Sequence, residues 1–344
     1  YAGNLRLMNK MGISVSREYD EGTMVYVAVD NNYAGCITIS DVIKETSKDA
    51  ISGLKKHGIK QTVMLTGDAK KTAEKVAKEI GMDKVCSELL PADKVNEVEK
   101  LLAQKNAKEK LAFVGDGIND APALRSADVG VAMGKGGTDV ARQASDMILT
   151  DDNFATIRRA MEEGRGVYEN IRKSVLFLLS SNLGEILTMF AAVLMGLPSP
   201  LQSAHILWIN LITDSLPALA LGVDKNDGKK LMGSPPRTAS ESLLANGGLS
   251  VICFYGALIA GISLTAFFTV PYMLMKQERA DFSVAVLAAF LEQKKVLKRA
   301  QTYAFTVLGM SQLFHAVGMR DVRQSIFSRR LFENRLMLVA GGIG

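Results

Sequence analysis

The sequence predicts an α/β domain followed by an α-helical transmembrane bundle. Two observations carry that prediction. The first 173 residues are charged throughout, whereas from Ser174 to Gly222 the only Asp, Glu, Lys or Arg residues are Glu185 and Asp214. Within the charged part, short apolar runs alternate with helical periodicity, the pattern of a parallel sheet covered by helices on both faces. With 344 residues, 48% hydrophobic and 22% charged, the chain has enough apolar material for two domains and is neither disordered nor collagen-like. A net charge of +5 is too small to argue for nucleic acid, and none is expected as a partner. Cys36, Cys86 and Cys253 lie far apart without a CxxC pair, so neither a disulfide framework nor a zinc site is expected.

In order along the chain, MVYVAV (24–29) and YAGCITI (33–39) read as a strand pair around Asp30-Asn31-Asn32. Helical periodicity covers about 43–57, then TVMLT (62–66) is a strand and about 69–80 a helix. A short strand near Val85 precedes a helix at about 93–103, and strands follow at 111–115, 128–132 and 146–149. In such sheets ligands sit at the carboxyl ends of the strands, and that is where the polar residues cluster. TVMLT runs into Thr66-Gly67-Asp68, and LAFVG into Asp116-Gly117-Ile118-Asn119-Asp120. Asp116, Asn119 and Asp120 offer the hard oxygens that suit a magnesium ion with retained waters. Thr66 with nearby backbone N–H groups suits a phosphoryl oxygen, and Lys94, opening a helix after Pro91, suits its charge. A lone TGD is an ordinary strand-to-helix turn, and a lone lysine at a helix start is an ordinary solvated side chain. Two carboxylates and an amide packed between glycines at a strand end have no such structural excuse.

The apolar half reads as spans at 175–197, 201–223 and 247–275, a weaker one at 303–319, and a truncated one at 336–344. FSVAVLAAFL (282–291) is too short to cross and is expected at the membrane interface. With the head cytoplasmic, Lys225, Lys229, Lys230 and Arg237 fall on the same side, as do Arg320, Arg323, Arg329, Arg330 and Arg335. The stretch 276–300 then faces outside with six basic residues of its own, against the rule. Asn182 and Glu185 have i, i+3 spacing, and Asn210, Thr213 and Asp214 have i, i+3, i+4 spacing, each set on one helical face. A carboxylate among membrane helices is costly and marks function. Two carboxylates, two amides and a hydroxyl form an all-oxygen set suited to calcium rather than to a soft metal.

TGDAKKTAEKVAKEIG, LLPADKV and VGDGINDAPAL, in this order, resemble the phosphorylation domain of the P-type cation-transporting ATPases, a haloacid-dehalogenase-like (Rossmann-like) fold, from about Ser40 to Asn153. The resemblance implies that Thr66, Gly67 and Asp68 bind the phosphoryl group of ATP and that Lys94 neutralises it. It implies that Asp116 coordinates Mg2+, with Asn119 and Asp120 completing the site. SSNLGE and WINLITDSLPA resemble the fifth and sixth membrane helices of calcium pumps, which implies that Asn182, Glu185, Asn210, Thr213 and Asp214 ligate the transported ion. SQLFHAVG puts Gln312 where two-site pumps carry a Glu, so one calcium site is expected rather than two. Up to about Gly134 the head resembles the heavy-metal branch, and from there on the calcium branch. Residues 1–39 resemble a remnant of the nucleotide-binding domain and linker, 40–153 the phosphorylation domain, and 154–344 the transmembrane domain.

The family's nucleophile lies in an Asp-Lys-Thr-Gly-Thr motif that does not occur here. The chain also does not begin with Met. The expectation is therefore a piece of an ATP-driven cation pump in a bacterial plasma membrane, inactive alone and partnered by the lipid bilayer and the pump's missing N-terminal portion. The alternatives are a catalytically dead, membrane-anchored regulatory protein and a heavy-metal exporter.

Overall fold

The computed structural model describes residues 1–15, 23–39, 43, 46–234, 237–238, 241–279, 283–321 and 333–343. Ser40, Phe282, Arg323, Arg329 and Arg330, used in the sequence argument, lie outside them. The chain forms two compact units: Tyr1–Met161 with Met232–Thr238, and Glu162–Leu231 with Ala239–Gly344.

In the first unit β1 (Ala2–Gly3), β2 (Thr23–Val29) and β3 (Asn32–Ile39) make an antiparallel sheet in the order β1-β2-β3. Asp30 and Asn31 both take left-handed backbone, φ 49° and 62°. A two-residue hairpin turn demands that conformation, and short polar side chains tolerate it. Asn32, expected in the turn, is instead the first residue of β3. The helix α1 (Leu5–Lys10) starts at Asn4, whose carboxamide accepts the Leu7 N–H at 3.0 Å, and it buries Met8 against Tyr26 and Ala28.

The remainder of the unit alternates as its periodicity predicts. The elements are α2 (Thr46–Lys56), β4 (Val63–Leu65), α3 (Lys70–Ile80), β5 (Lys84–Cys86), α4 (Pro91–Gln104), β6 (Ala112–Gly115), α5 (Ala121–Ser126), β7 (Val129–Met133), α6 (Asp139–Ala144) and β8 (Met147–Leu149). Helix α3 stops at Gly81, in left-handed backbone at φ 81°, whose N–H caps the Ala77 carbonyl. Pro91 opens α4, where its missing N–H costs nothing, and the Asp93 carboxylate accepts the Leu90 N–H at 3.0 Å. All strand pairs here are parallel, but they form two sheets, β4-β5 and β6-β7-β8. That corrects the single sheet expected. β4 pairs through only three residues, and among the described residues one edge of β4 and one edge of β6 stay unpaired. Side chains bridge the division instead: Leu65 of β4 packs on the core of Val98, Phe113, Ala123, Leu124, Ala132 and Ala141.

The second unit is helical. Helix α7 (Ala155–Leu194) is continuous over 40 residues. Next come α8 (Ser203–Trp208), a π-helical segment at Ile209–Asp214, and α9 (Ser215–Gly222). Then follow α10 (Gly228–Gly233), α11 (Gly248–Gln277), α12 (Val284–Glu292), α13 (Lys294–Met319) and α14 (Arg335–Ile343). Three helices among the described residues are long and apolar enough to cross a membrane: Ala155–Leu194, Ser203–Gly222 and Gly248–Gln277. The expected fourth span is helical but is not one of these, because the uncharged part of α13 that follows its basic first turns carries Thr302, Tyr303, Ser311, Gln312 and His315 and is not apolar enough. The described part of 276–300 is therefore mostly helix, taken up by α12 and the start of α13. α12 buries Leu287, Phe290 and Leu291 in the helical core rather than lying free. Close helix packing rests on glycine: a Cβ at Gly184 would lie 2.9 Å from Ile259, and one at Gly256 2.9 Å from Leu183.

Candidate functional sites in the head and among the membrane helices

The head site forms where β4 and β6 end. Gly115 closes β6, and a Cβ there would lie 2.7 Å from that of Asp120, so only glycine lets the buried Asp120 fold back beneath the strand end. One Asp120 oxygen accepts the N–H groups of Asp116 (3.3 Å) and Gly117 (3.1 Å), and the other accepts Lys94 Nζ at 2.8 Å. Asp120 is thus spent on three hydrogen bonds, while Asp116 and Asn119 stand exposed on the same loop. That separates two residues which spacing alone treats alike: Asp116 has its carboxylate free to face solvent, and Asp120 shapes the loop. Thr138 fixes Asp116 from the other side, its N–H (2.9 Å) and its hydroxyl (3.2 Å) both donating to the Asp116 carbonyl.

At the end of β4, the Thr66 hydroxyl donates to Asp68 at 2.7 Å and accepts the Asp68 N–H at 3.2 Å, which closes the turn over Gly67. The Leu89 N–H donates to the Thr66 carbonyl at 3.1 Å, and Leu90 caps α4, whose first turn carries Lys94. Thr66, Lys94, Asp120 and Asp116 are therefore joined by a short run of hydrogen bonds. The sequence supplied those residues but not the Lys94–Asp120 pair.

Among the membrane helices, Glu185 of α7 accepts Gln312 Nε2 of α13 at 2.9 Å, and both side chains are buried. Asp214, 1% exposed, lies within electrostatic reach of Glu185, and neither of its carboxylate oxygens has a hydrogen-bond partner. The Gln312 carbonyl oxygen is also buried without one. Thr213 is buried, its hydroxyl 4.0 Å from where a Cβ on Gly309 would sit, one turn before Gln312. Asn182 is half-buried on the Glu185 side of α7. Asn210 departs from expectation: it is exposed, and its amide donates to the Ile206 carbonyl at 3.1 Å. The segment Ile209–Asp214 is π-helical, just before Pro217, which cannot donate to the Thr213 carbonyl and whose ring crowds that oxygen. Within it Thr213 and Asp214 are buried and Asn210 is exposed.

His315, 5% exposed, went unremarked in the sequence beyond being scattered. Its Nε2 lies 2.6 Å from the Ser180 hydroxyl, one turn along α13 from Gln312, and its ring sits against Tyr255 and Phe177. Its i, i+3 spacing from Gln312 was the available signal. Among the described residues, no three His, Cys, Asp or Glu side chains form a metal-holding group, and the membrane cluster has two carboxylates, with amide and hydroxyl oxygens for the rest.

Comparison with known proteins bears on both halves of the chain. A family model described as the haloacid dehalogenase-like hydrolases matches residues 1–128, and one described as the C-terminus of the cation transporting ATPases matches residues 198–344. The chain is 42% identical over 339 residues to calcium-transporting ATPase 1 of Bacillus cereus, covering 91% of this chain and 37% of the relative. It is 37% identical to a calcium-transporting ATPase of Bacillus subtilis, over 90% of this chain and 35% of the relative. Calcium-transporting ATPase 1 of Saccharomyces cerevisiae is 32% identical, over 91% and 34%. The chain thus spans about a third of the length of these relatives, and with 91% of this chain covered the calcium-pump likeness is not confined to the membrane half. Its haloacid-dehalogenase-like head, its apolar helices and these matches together place the chain in the family of P-type cation-transporting ATPases.

Proposed function

We propose that the chain is the phosphorylation-domain and membrane part of an ATP-driven calcium pump, cytoplasmic at its head and set in a bacterial plasma membrane. The observation that carries this reading is the pair of buried, unpartnered Asp214 oxygens, on the segment packed against α13, whose Gln312 is bonded to Glu185. Buried polar atoms without partners cost about 1–3 kcal/mol each, and a calcium ion, which takes oxygen ligands alone, removes that cost. Glu185, Thr213, Asp214 and Gln312 form the centre of the site and Asn182 its edge. Asn210 joins only if its helix rewinds. One bound calcium follows more naturally than two from a set with two carboxylates. Lys225, Lys229, Lys230, Arg237, Arg320 and Arg335 support the orientation.

In the head, Thr66, Gly67 and Asp68 hold the phosphoryl group, with Lys94 offsetting its charge. The exposed Asp116 carboxylate fits Mg2+, and Asn119 fits a retained water or phosphoryl oxygen. Asp120 keeps Lys94 aimed and the loop closed rather than ligating the metal. Magnesium, when bound, would neutralise phosphoryl oxygens there. No Asp-Lys-Thr-Gly-Thr is present, so the attacking aspartate comes from the pump's N-terminal portion, and the edges of β4 and β6 that are unpaired among the described residues offer a strand carrying it a place to pair. The boundaries 1–39, 40–153 and 154–344 serve as working domain limits.

The same missing motif favours a second reading, a catalytically dead membrane-bound regulator of an intact pump. In a complete family enzyme containing this chain, Asp214→Ala abolishes calcium-stimulated ATP hydrolysis under the first reading. An unchanged rate contradicts it.

A further inference from the structure

The loop after β7 and the residues before α7 are bound together in a way that the two sites above do not require. Asp152 sits in left-handed backbone, φ 52°, a conformation rarely held by a residue with a side chain. One of its carboxylate oxygens accepts the N–H groups of Gly134 (2.7 Å) and Lys135 (3.0 Å), and the other accepts that of Gly136 (2.7 Å). Three successive backbone N–H groups converging on one carboxylate make an anion-binding nest filled by the chain itself. Two of the glycines are required by space: a Cβ at Gly137 would lie 2.0 Å from the Met133 carbonyl oxygen, and one at Gly134 2.8 Å from that of Leu149. Arg142 Nη1 braces the loop from behind by donating to the Gly134 and Gly137 carbonyls.

The loop ends at Thr138, whose N–H and hydroxyl hold the Asp116 carbonyl. On the other side, Asp151 accepts the Thr156 hydroxyl at 2.6 Å and Asn153 accepts the Ala155 N–H at 2.9 Å, fixing the first turn of α7. α7 carries Asn182 and Glu185 within the same unbroken 40 residues. Hydrogen bonds and short stretches of backbone therefore lead from Asp116, through Thr138, the glycine loop and Asp152, to Asp151 and Asn153 at the start of the helix that holds ion ligands.

We propose that Asp152 is a positioning residue that couples the two sites: its carboxylate, seated in the Gly134–Gly136 nest, makes any shift of the α7 start a shift of the Thr138–Asp116 contact. This rests on the reading above that Asp116 holds a divalent metal and that Glu185 and Asp214 hold calcium. Asp152 touches neither ligand, and its role is to transmit. An asparagine in its place keeps the left-handed backbone but turns one acceptor into a donor facing the Gly136 N–H, so the nest is half lost.

The test uses the full chain in nanodiscs, with Mn2+ plus inorganic phosphate as the paramagnetic probe of the head and Ca2+ as the probe of the membrane cluster. Coupling is the change in Mn2+ affinity caused by saturating Ca2+ that Asp214→Asn abolishes. In the wild-type chain it is at least about fivefold, the lower end of ordinary allosteric coupling. In Asp152→Asn it falls below about twofold, while the Ca2+ and Mn2+ affinities measured separately each stay within about threefold of wild type, which a general loss of structure would not allow. Thr138→Val, which removes the hydroxyl bond to Asp116 and leaves the nest intact, lowers the coupling too and serves if Asp152→Asn does not fold. Undiminished coupling in either folded variant, or its absence in a wild-type chain that binds both ions, overturns the inference. Failure of the wild-type chain to bind Ca2+ overturns the functional reading instead.

Discussion

Lys94 and Asp120 show how much a single residue's surroundings add to its identity. Both were legible as site candidates, Lys94 from its place after Pro91 and Asp120 from the glycine-flanked loop, but the sequence could not say that they hold each other at 2.8 Å. Such pairing depends on the fold bringing together residues far apart in the chain. Lys94→Met leaves the Asp120 carboxylate, 9% exposed, without its cation. Breaking a fully buried pair costs about 3–5 kcal/mol. With Lys94 at 18% exposure, the head should lose about 1–3 kcal/mol in urea unfolding. The double variant Lys94→Met, Asp120→Asn should recover part of it, and a single variant as stable as wild type would show that the pair is idle. Asp116, exposed one turn away, is predicted to behave differently: Asp116→Asn leaves stability within about 0.5 kcal/mol while weakening Mn2+ binding at least about tenfold.

At the scale of elements, the sequence was most informative where one periodicity runs undisturbed and least where two local rules collide. The alternation of strands and helices from Val63 to Leu149 was readable because each strand is an apolar run ended by glycine or a polar turn. The split into β4-β5 and β6-β7-β8 was not readable, since strand order depends on edges rather than patterns. In the second membrane span, i, i+3, i+4 spacing put Asn210 with Thr213 and Asp214, but the segment before Pro217 is π-helical, and Asn210 is exposed there with its amide bonded to Ile206 while the other two are buried. Pro217→Ala should let the segment rewind, bring Asn210 toward the cluster and change Ca2+ affinity at least about fivefold; an unaltered affinity would show that the π-turn does not shape the site. The strand starts are pinned by charge. Lys55, with the Thr62 N–H and hydroxyl, holds the Asp83 carboxyl down at about 2. Lys60 and Asn106 do the same for Glu109. Burial pushes Asp128 up, but Lys105, the Leu111 N–H and Lys110 outweigh it and leave it at about 2. Each pKa is depressed in the folded chain, so each contributes stability above its ordinary value, 3.8 for the aspartates and 4.5 for Glu109. That stability is lost as pH falls from there toward 2. Amide exchange at Thr62 and Leu111, corrected for its intrinsic pH dependence, should accelerate across that window and not between pH 5 and 7.

The whole molecule joins a phosphotransferase-like head to a bundle of apolar helices, and its division was plain from charge alone: the near-absence of ionised residues from Ser174 to Gly222 needs no fold to interpret. Glu185 and Asp214 stood out for the same reason. Gln312 and His315, on a helix with a charged first turn, were harder to place because their burial comes from packing against α7 and not from local composition. The central claim is that the buried oxygens around Asp214 exist to hold calcium. Equilibrium binding of radiolabelled Ca2+ to the full chain in nanodiscs, with millimolar Mg2+ present, tests it most directly. The account predicts one saturable Ca2+ per chain, lost in Asp214→Ala and in Glu185→Gln, retained in Asp116→Asn, and not displaced by equimolar Zn2+. No saturable binding, or binding that survives Asp214→Ala, would contradict it.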